Sequence, residues 1–492
     1  MGFSRRNLLS GLGAAGLAAV CPRVAAAERH RAERCFERFN RAVSSNPGLD
    51  PWRSVNVSKL EPLRMTLEGS IPKGLRGTLY RNGPAGFERD GARYQHWFDG
   101  DGMVQAFRFD DGSIIHRGQK VMTEKWHREE EAGRFLVDGA GSSVPNAGPS
   151  HGNDGANPAN VAVVPWGDDL LALWEAGSPY ALDPDTLATK RRVVWSEDTD
   201  GMSFSAHPLI ESDGRMWNFG LAQWVGKTGF MALYALSPTQ GLERVKLLEL
   251  PFAGYMHSFA MSERWLVFYL APQVFDHSRG TGYVSAQAWE PGRGGRVLLV
   301  DKNDFDNHRW VDAPAGWIWH CGDARDLPGG GISMRAAWSD NPKTMSEGMY
   351  GVMCGEQSDL NSDSKLVTLT IKAGRASIER TEMPGEFPIV DPRGASAFLV
   401  MANDFELQML DAKGKLRRLT APGRVRLEEH RFVPRSARLG DGWLVGTGYD
   451  LAARASVVTV FDTQSRADGP VLVGRMNRRI PFGFHGWFAR RG

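Results

Sequence analysis

Cysteine is scarce in this sequence, and neither sign of charge is in excess. Of 492 residues only four are cysteine. Cys21 lies in a leader-like stretch, and the remaining Cys35, Cys321 and Cys354 are too few and too far apart to form a disulfide framework. Lys plus Arg number 59 against 57 Asp plus Glu, so no basic field points to nucleic acid. No G-x-G-x-x-G follows a strand-like run and no P-loop occurs, which removes dinucleotide-binding and NTP-hydrolysing readings. What the chain does have is 57 glycines, 27 prolines and 16 tryptophans, the makings of a turn-rich fold with an aromatic interior.

The first 27 residues read as a leader. Ser4-Arg5-Arg6-Asn7-Leu8-Leu9 opens an apolar run to Val20, and Ala25-Ala26-Ala27 supplies small residues for cleavage. Paired arginines before a short hydrophobic segment are the mark of twin-arginine export, and the run is too short for a permanent membrane span. The expectation is cleavage after about Ala27 and a periplasmic protein. A lipid anchor at Cys21 is disfavoured by the bulky Val20 before it. Removing residues 1–27 takes away Arg5, Arg6 and Arg23 and leaves 56 basic against 57 acidic residues. Residues 28–50 follow as an N-terminal helical segment, with Cys35, Phe36, Phe39, Ala42 and Val43 at helical spacing.

From residue 51 to 492 the texture is that of a single β domain. Short apolar runs such as MVQAFRF, WLVFYLAP, RVLLVD and SVVTVFD recur between Gly, Asp, Asn and Pro, and Asp110-Asp111-Gly112 reads as a hairpin turn. About 440 residues of this kind without a linker fit a propeller of six to eight blades better than one sandwich.

Four of the 12 histidines sit among apolar or small residues: His207 in FSAHPLI, His257 in YMHSFAM, His320 in WIWHCGD and His485 in FGFHGW. Gaps of 50 and 63 residues match one blade each, and the gap of 165 matches two or three. Equivalent places on successive blades point at a shared axis, so four imidazoles can converge there on Fe, Cu, Zn or Ni. His30, His127 and His308 lie in charged surroundings and read as solvated.

The chain resembles the carotenoid cleavage oxygenase family from about Trp52 to Phe488. The match is carried in order by Gly77-Thr-Leu-Tyr-Arg81-Asn82-Gly83-Pro84, by His96-Trp-Phe-Asp99-Gly100-Asp101-Gly102-Met103, by Leu173-Trp174-Glu175-Ala-Gly-Ser-Pro179-Tyr180, by Glu386-Phe387-Pro388 and by the terminal GFHG. The resemblance implies an all-β, seven-bladed β-propeller with a dome of loops and short helices over the axis. It implies one Fe(2+) per chain held by His207, His257, His320 and His485, with Glu175, Glu386 and Glu429 behind three of them. A carboxylate there accepts the other ring N–H, fixes the tautomer and offsets metal charge. His430 stands where the family has Pro after that last Glu, so Glu428 competes with Glu429. His96 matches no metal ligand and reads as structural, and His320-Cys-Gly-Asp departs from the usual Asn-Ala pattern.

The implied reaction is cleavage of a conjugated C=C bond by O₂ into two carbonyl products, with no side-chain acid or base beyond the iron. The implied substrate is a carotenoid or apocarotenoid held in an aromatic tunnel. Phenolic stilbenes are the alternative. Stilbene cleavers carry a Lys before the first such Glu and a Tyr in an earlier strand, and here those places hold Trp174 and Lys120. The remote alternative is a metal-free binding propeller. The further expectations are a monomer, no nucleic-acid partner, and a transient membrane contact through which a polyene is extracted.

Overall fold

The computed structural model describes residues 22–491 apart from 226–227, 277–281, 358–359, 361–362 and 395–396. Predicted twin-arginine residues 4–9 lie outside the described residues. Seven antiparallel sheets of four or five strands stand around one axis as a seven-bladed propeller. Burial is greatest in the middle strands and drops in the outermost strand of each blade, which explains the sequence texture. In blade five, strand Gly331–Ser339 is almost wholly buried, Lys365–Lys372 less so, and Arg375–Pro384 exposes half of its side chains. Strands covered on both faces carry continuous apolar runs, and outer strands carry charge. The hairpin turn forms as expected: Asp110 pairs with Ser113 across Asp111-Gly112, and Gly112 takes a φ of 70°.

The ring closes twice. Strand His485–Arg490 is the innermost strand of blade one, paired from Asn82↔His485 to Gly77↔Arg490. Strand Thr66–Gly69 is the outermost strand of blade seven, paired with Leu472–Arg475. Each end of the β domain thus completes a sheet begun by the other.

A helix, Pro22–Ser45, packs outside the ring and continues through Ala27. Its Ala32, Cys35, Phe39 and Val43 are buried. The cysteines build no framework but do form one bond: Cys35 is bonded to Cys354 across 319 positions, leaving Cys321 as the free thiol among the described residues. The two cysteines are distant in sequence but adjacent in space, because the helix docks against a short helical stretch, Thr344–Met353, above the axis. Arg93, fully buried, reinforces the joint. Its guanidinium lies 3.5 Å over the Phe39 ring, donates to Met353 O at 2.7 Å and pairs with Glu88.

Candidate metal centre

Each blade contributes one of the predicted side chains. His207 and His257 immediately precede the inner strands of blades three and four, Leu209–Ile210 and Phe259–Met261. His320 lies in the inner strand of blade five, Trp317–Leu327, and His485 opens that of blade one. Glu386 and Glu429 sit on the inner strands of blades six and seven. Glu175 comes from blade two, in the turn after Asp169–Leu173.

Bulges aim three of these side chains. The pairings Ile318↔Trp338 and Cys321↔Ala336 set three steps against two at His320, and the same miscount occurs beside Glu386 and between Leu427 and His430. An extra residue breaks the in–out alternation and turns a side chain toward the axis. In blade six the distortion extends to Phe387, which takes a φ of 56° with its ring 4.9 Å from that of His320. A positive φ is costly for an aromatic residue and is held here by the surrounding packing.

One ring nitrogen of each of the four histidines lies within 4.8 Å of the others. His207 Nε2 is 2.9 Å from His257 Nε2, and His320 Nε2 is 3.1 Å from His485 Nε2. The other nitrogen of three of them is committed. Nδ1 of His257 donates to Glu175 Oε2 (2.8 Å), that of His320 to Glu386 Oε2 (2.9 Å), and that of His485 to Glu429 Oε1 (3.2 Å). With the proton on Nδ1, Nε2 presents a lone pair. Burial, then repulsion among the rings, holds His207 well below the usual imidazole range, and burial lowers His257 and brings His485 down to about 3. His320 and His485 therefore face each other through two lone pairs. That contact repels unless a cation lies between them, so the donor set fits a metal bound by four neutral imidazoles.

Glu429 rather than Glu428 reaches His485, although both are buried on the same bulge. Glu429 Oε2 also accepts the Gly486 N–H (2.9 Å), and Glu428 accepts the Gly483 N–H (2.7 Å). Burial opposes charge on Glu429, but His485, Arg431 and Arg81 outweigh it and keep the carboxyl far below the usual range. Arg81 of the first motif thus meets the last, and the backbones touch: a Cβ on Gly83 would stand 2.5 Å from Gly483 Cα.

The strongest motif, His96 to Met103, builds the roof rather than the ligand set. His96 Nε2 bonds Met345 O at 3.0 Å, and Nδ1 accepts the Phe98 N–H. Burial lowers His96 to about 4, so it serves as a neutral strut. Asp99 holds Ser142 Oγ at 2.6 Å and the Gly141 N–H, and Asp101 holds Lys125 and Arg89, each at 2.8 Å. Beneath this roof, Trp97, Phe98, Trp319, Phe387 and Phe484 wall a cavity of about 60 Å³ against His257, His320 and His485. A cleft of about 190 Å³ opens beside it, lined by Trp174, Glu175, Asn153 and Tyr283. A third cavity of about 320 Å³ follows the axis past His207 and Cys321. Lys120 is buried near Asp101 and lines none of these three cavities. Sequence reasoning named none of the cavity walls, because residues 97–98, 319, 387 and 484 meet only in three dimensions. His30, His127 and His308 are exposed, as their surroundings implied.

A family model described as retinal pigment epithelial membrane protein matches residues 52–490. The apocarotenoid-15,15'-oxygenase of Synechocystis is 28% identical, over 86% of this chain and 92% of its own. The isoeugenol monooxygenase of Pseudomonas nitroreducens is 27% identical, over 87% and 94%. The crystal structure of the cobalt-substituted Synechocystis oxygenase superposes with a TM-score of 0.80 at 26% identity, covering 91% of this chain and 99% of that one.

Proposed function

The chain belongs to the retinal pigment epithelial membrane protein family, the family of the carotenoid cleavage oxygenases, and from that premise we propose that it is an Fe(2+)-dependent dioxygenase that cleaves a conjugated C=C bond of an apocarotenoid. The observation that carries this is the convergence of four imidazole Nε2 atoms beneath an aromatic cavity. Iron held by His207, His257, His320 and His485 would supply O₂ activation. The chain's own residues do the rest. Glu175, Glu386 and Glu429 keep the protons of three ligands on Nδ1 and orient the rings. Trp97, Phe98, Trp319 and Phe484 offer flat apolar walls to a polyene and exclude water from the reacting bond. Among the described residues that line that cavity, the acid–base groups are His257, His320, His485 and Glu386, which is bonded to His320.

A phenolic substrate is the second reading, favoured by the likeness to an isoeugenol monooxygenase and by the Tyr283 and Asn153 side chains in the cleft. Trp174 in the cleft wall and Lys120 away from it favour the polyene. Incubating iron-loaded protein with apocarotenals of several lengths and with hydroxystilbenes separates the two. The expected outcome is paired aldehyde products from an apocarotenal; turnover of the stilbene alone overturns it.

Export to the periplasm through the twin-arginine leader is supported by the Cys35–Cys354 disulfide, since such bonds persist in oxidising compartments. Monomeric function and brief contact with a membrane complete the proposal. No described helix is long and apolar enough to cross a membrane. N-terminal sequencing of protein recovered from the periplasm tests the leader: a chain still starting at Met1 contradicts it.

A further inference from the structure

The three carboxylates behind the imidazoles are balanced by different neighbours. Glu429 is paired with Arg81 Nη1 at 2.7 Å and faces Arg431 Nη1 at 3.5 Å. Glu428 takes the other Arg81 nitrogen at 3.3 Å. Two guanidiniums and two carboxylates cancel. In the axial cavity, Asp323 is matched by Arg335 and Asp391 by Arg393.

Glu175 and Glu386 are held differently. Among the described residues neither has an Arg or Lys within ion-pair reach. Glu175 Oε2 accepts the Tyr255 hydroxyl at 2.8 Å besides His257. Glu386 accepts the Ser364 hydroxyl besides His320, and Ser364 in turn meets Ser339 Oγ at 2.8 Å. Hydroxyl dipoles position these carboxylates but leave their charge uncancelled. The buried surroundings of the four imidazoles thus carry two unmatched negative charges, one from blade two and one from blade six.

We propose that Glu175 and Glu386 make the centre electroneutral only around a divalent ion, and that Arg81 and Arg431 act as positioning residues that take Glu428 and Glu429 out of that count. Loss of one electron by the ion then leaves an unmatched positive charge in a buried site, which is costly, so the divalent state is held. The inference rests on the metal reading given above. It adds that the oxidation state is set by carboxylates one hydrogen bond behind the ligands and by guanidiniums behind a third carboxylate.

A redox titration of the full chain, loaded anaerobically with Fe(2+) and poised with mediators, tests the count, with the ferric fraction read by electron paramagnetic resonance. Glu386→Gln removes a negative charge and should raise the potential. Arg431→Gln unmatches Glu429 and should lower it, with faster oxidation of the ferrous protein in air. Each should change the ferric-to-ferrous ratio at a fixed potential about tenfold, a shift of about 60 mV. Arg81→Met should exceed Arg431→Gln in the same direction, and Arg81→Lys should return toward the parent value. If the buried Arg81→Met protein fails to fold, the one-third-exposed Arg431 still carries the test. A purely structural role moves both kinds of variant the same way. Shifts of one sign, or none, overturn the charge count while leaving the metal centre standing. A parent protein that takes up no divalent metal overturns the centre and this inference together.

Discussion

Around the axis, seven blades each send one side chain to a common centre, and every one arrives on or beside a strand or turn of its own sheet. The roof above that centre is assembled differently. It takes the loop from His96, the loop near Gly141 and the short helices Thr344–Met353, and it joins them by single contacts: His96 to Met345 O, Tyr350 to Gly141 O, Arg93 to Met353 O and the Cys35–Cys354 bond. The axis is fixed by sheet pairing, whereas the roof is fixed by side-chain struts and by the apolar packing of Trp97, Met345, Met349, Val352 and Met353. Metal geometry thus stands on the sheets, and the cavity walls are shared between the two regions: Trp319, Phe387 and Phe484 lie on or beside inner strands, and Trp97 and Phe98 come from the roof.

Breaking the axis should have the largest effect. Deleting residues 481–492 removes the inner strand of blade one together with His485. The expected result is loss of metal and of cooperative unfolding, read by metal analysis and calorimetry. A truncated protein with full metal and an unchanged Tm would show that the roof, not the closure, holds the ring.

Acid should strain both regions at once. His96 in the roof and His430 on the inner strand of blade seven are both lowered by burial to about 4, and His116 in blade one to about 3. Their ordinary value is about 6.5, so below that pH the unfolded chain binds protons that the folded chain refuses. Stability from this source is fully present above pH 6.5 and is lost as pH falls toward 4, on the order of several kcal/mol in sum. A Tm that stays flat from pH 7 to 4 contradicts it.

The disulfide separates the regions. Cys35→Ser with Cys354→Ser should lower stability by about 2–4 kcal/mol and leave metal content unchanged. Metal loss in that variant would mean that roof and axis fold as one unit. The smallest effect is expected from His96→Gln. Loss of the buried bond to Met345 should cost about 1–3 kcal/mol and raise KM, with metal stoichiometry intact. An unchanged KM would remove His96 from the roof's support.

The same contrast governs what could be read from the sequence. Blade-scale spacing led to a propeller and to the four histidines, because repeated sheets put equivalent positions on one axis, whereas the seven blades and the three glutamates were implied by the family resemblance that the ordered motifs carry. The choice between Glu428 and Glu429 stayed open for a physical reason: the bulge between Leu427 and His430 breaks alternation, and both side chains are buried. The Cys35–Cys354 pair carried no local signal, since helix docking alone brings the two together. His96 could be set apart from the ligands but not assigned a partner, because Met345 lies 249 positions away.

The central claim is that one metal ion is held by His207, His257, His320 and His485 and by no other side chain. Anomalous diffraction at the iron edge, on crystals of protein loaded with Fe(2+), tests it most directly. The account predicts a single peak per chain, bonded to the four Nε2 atoms and absent in His257→Ala. A peak bonded to any other set of side chains, or one that survives intact in His257→Ala, would contradict it.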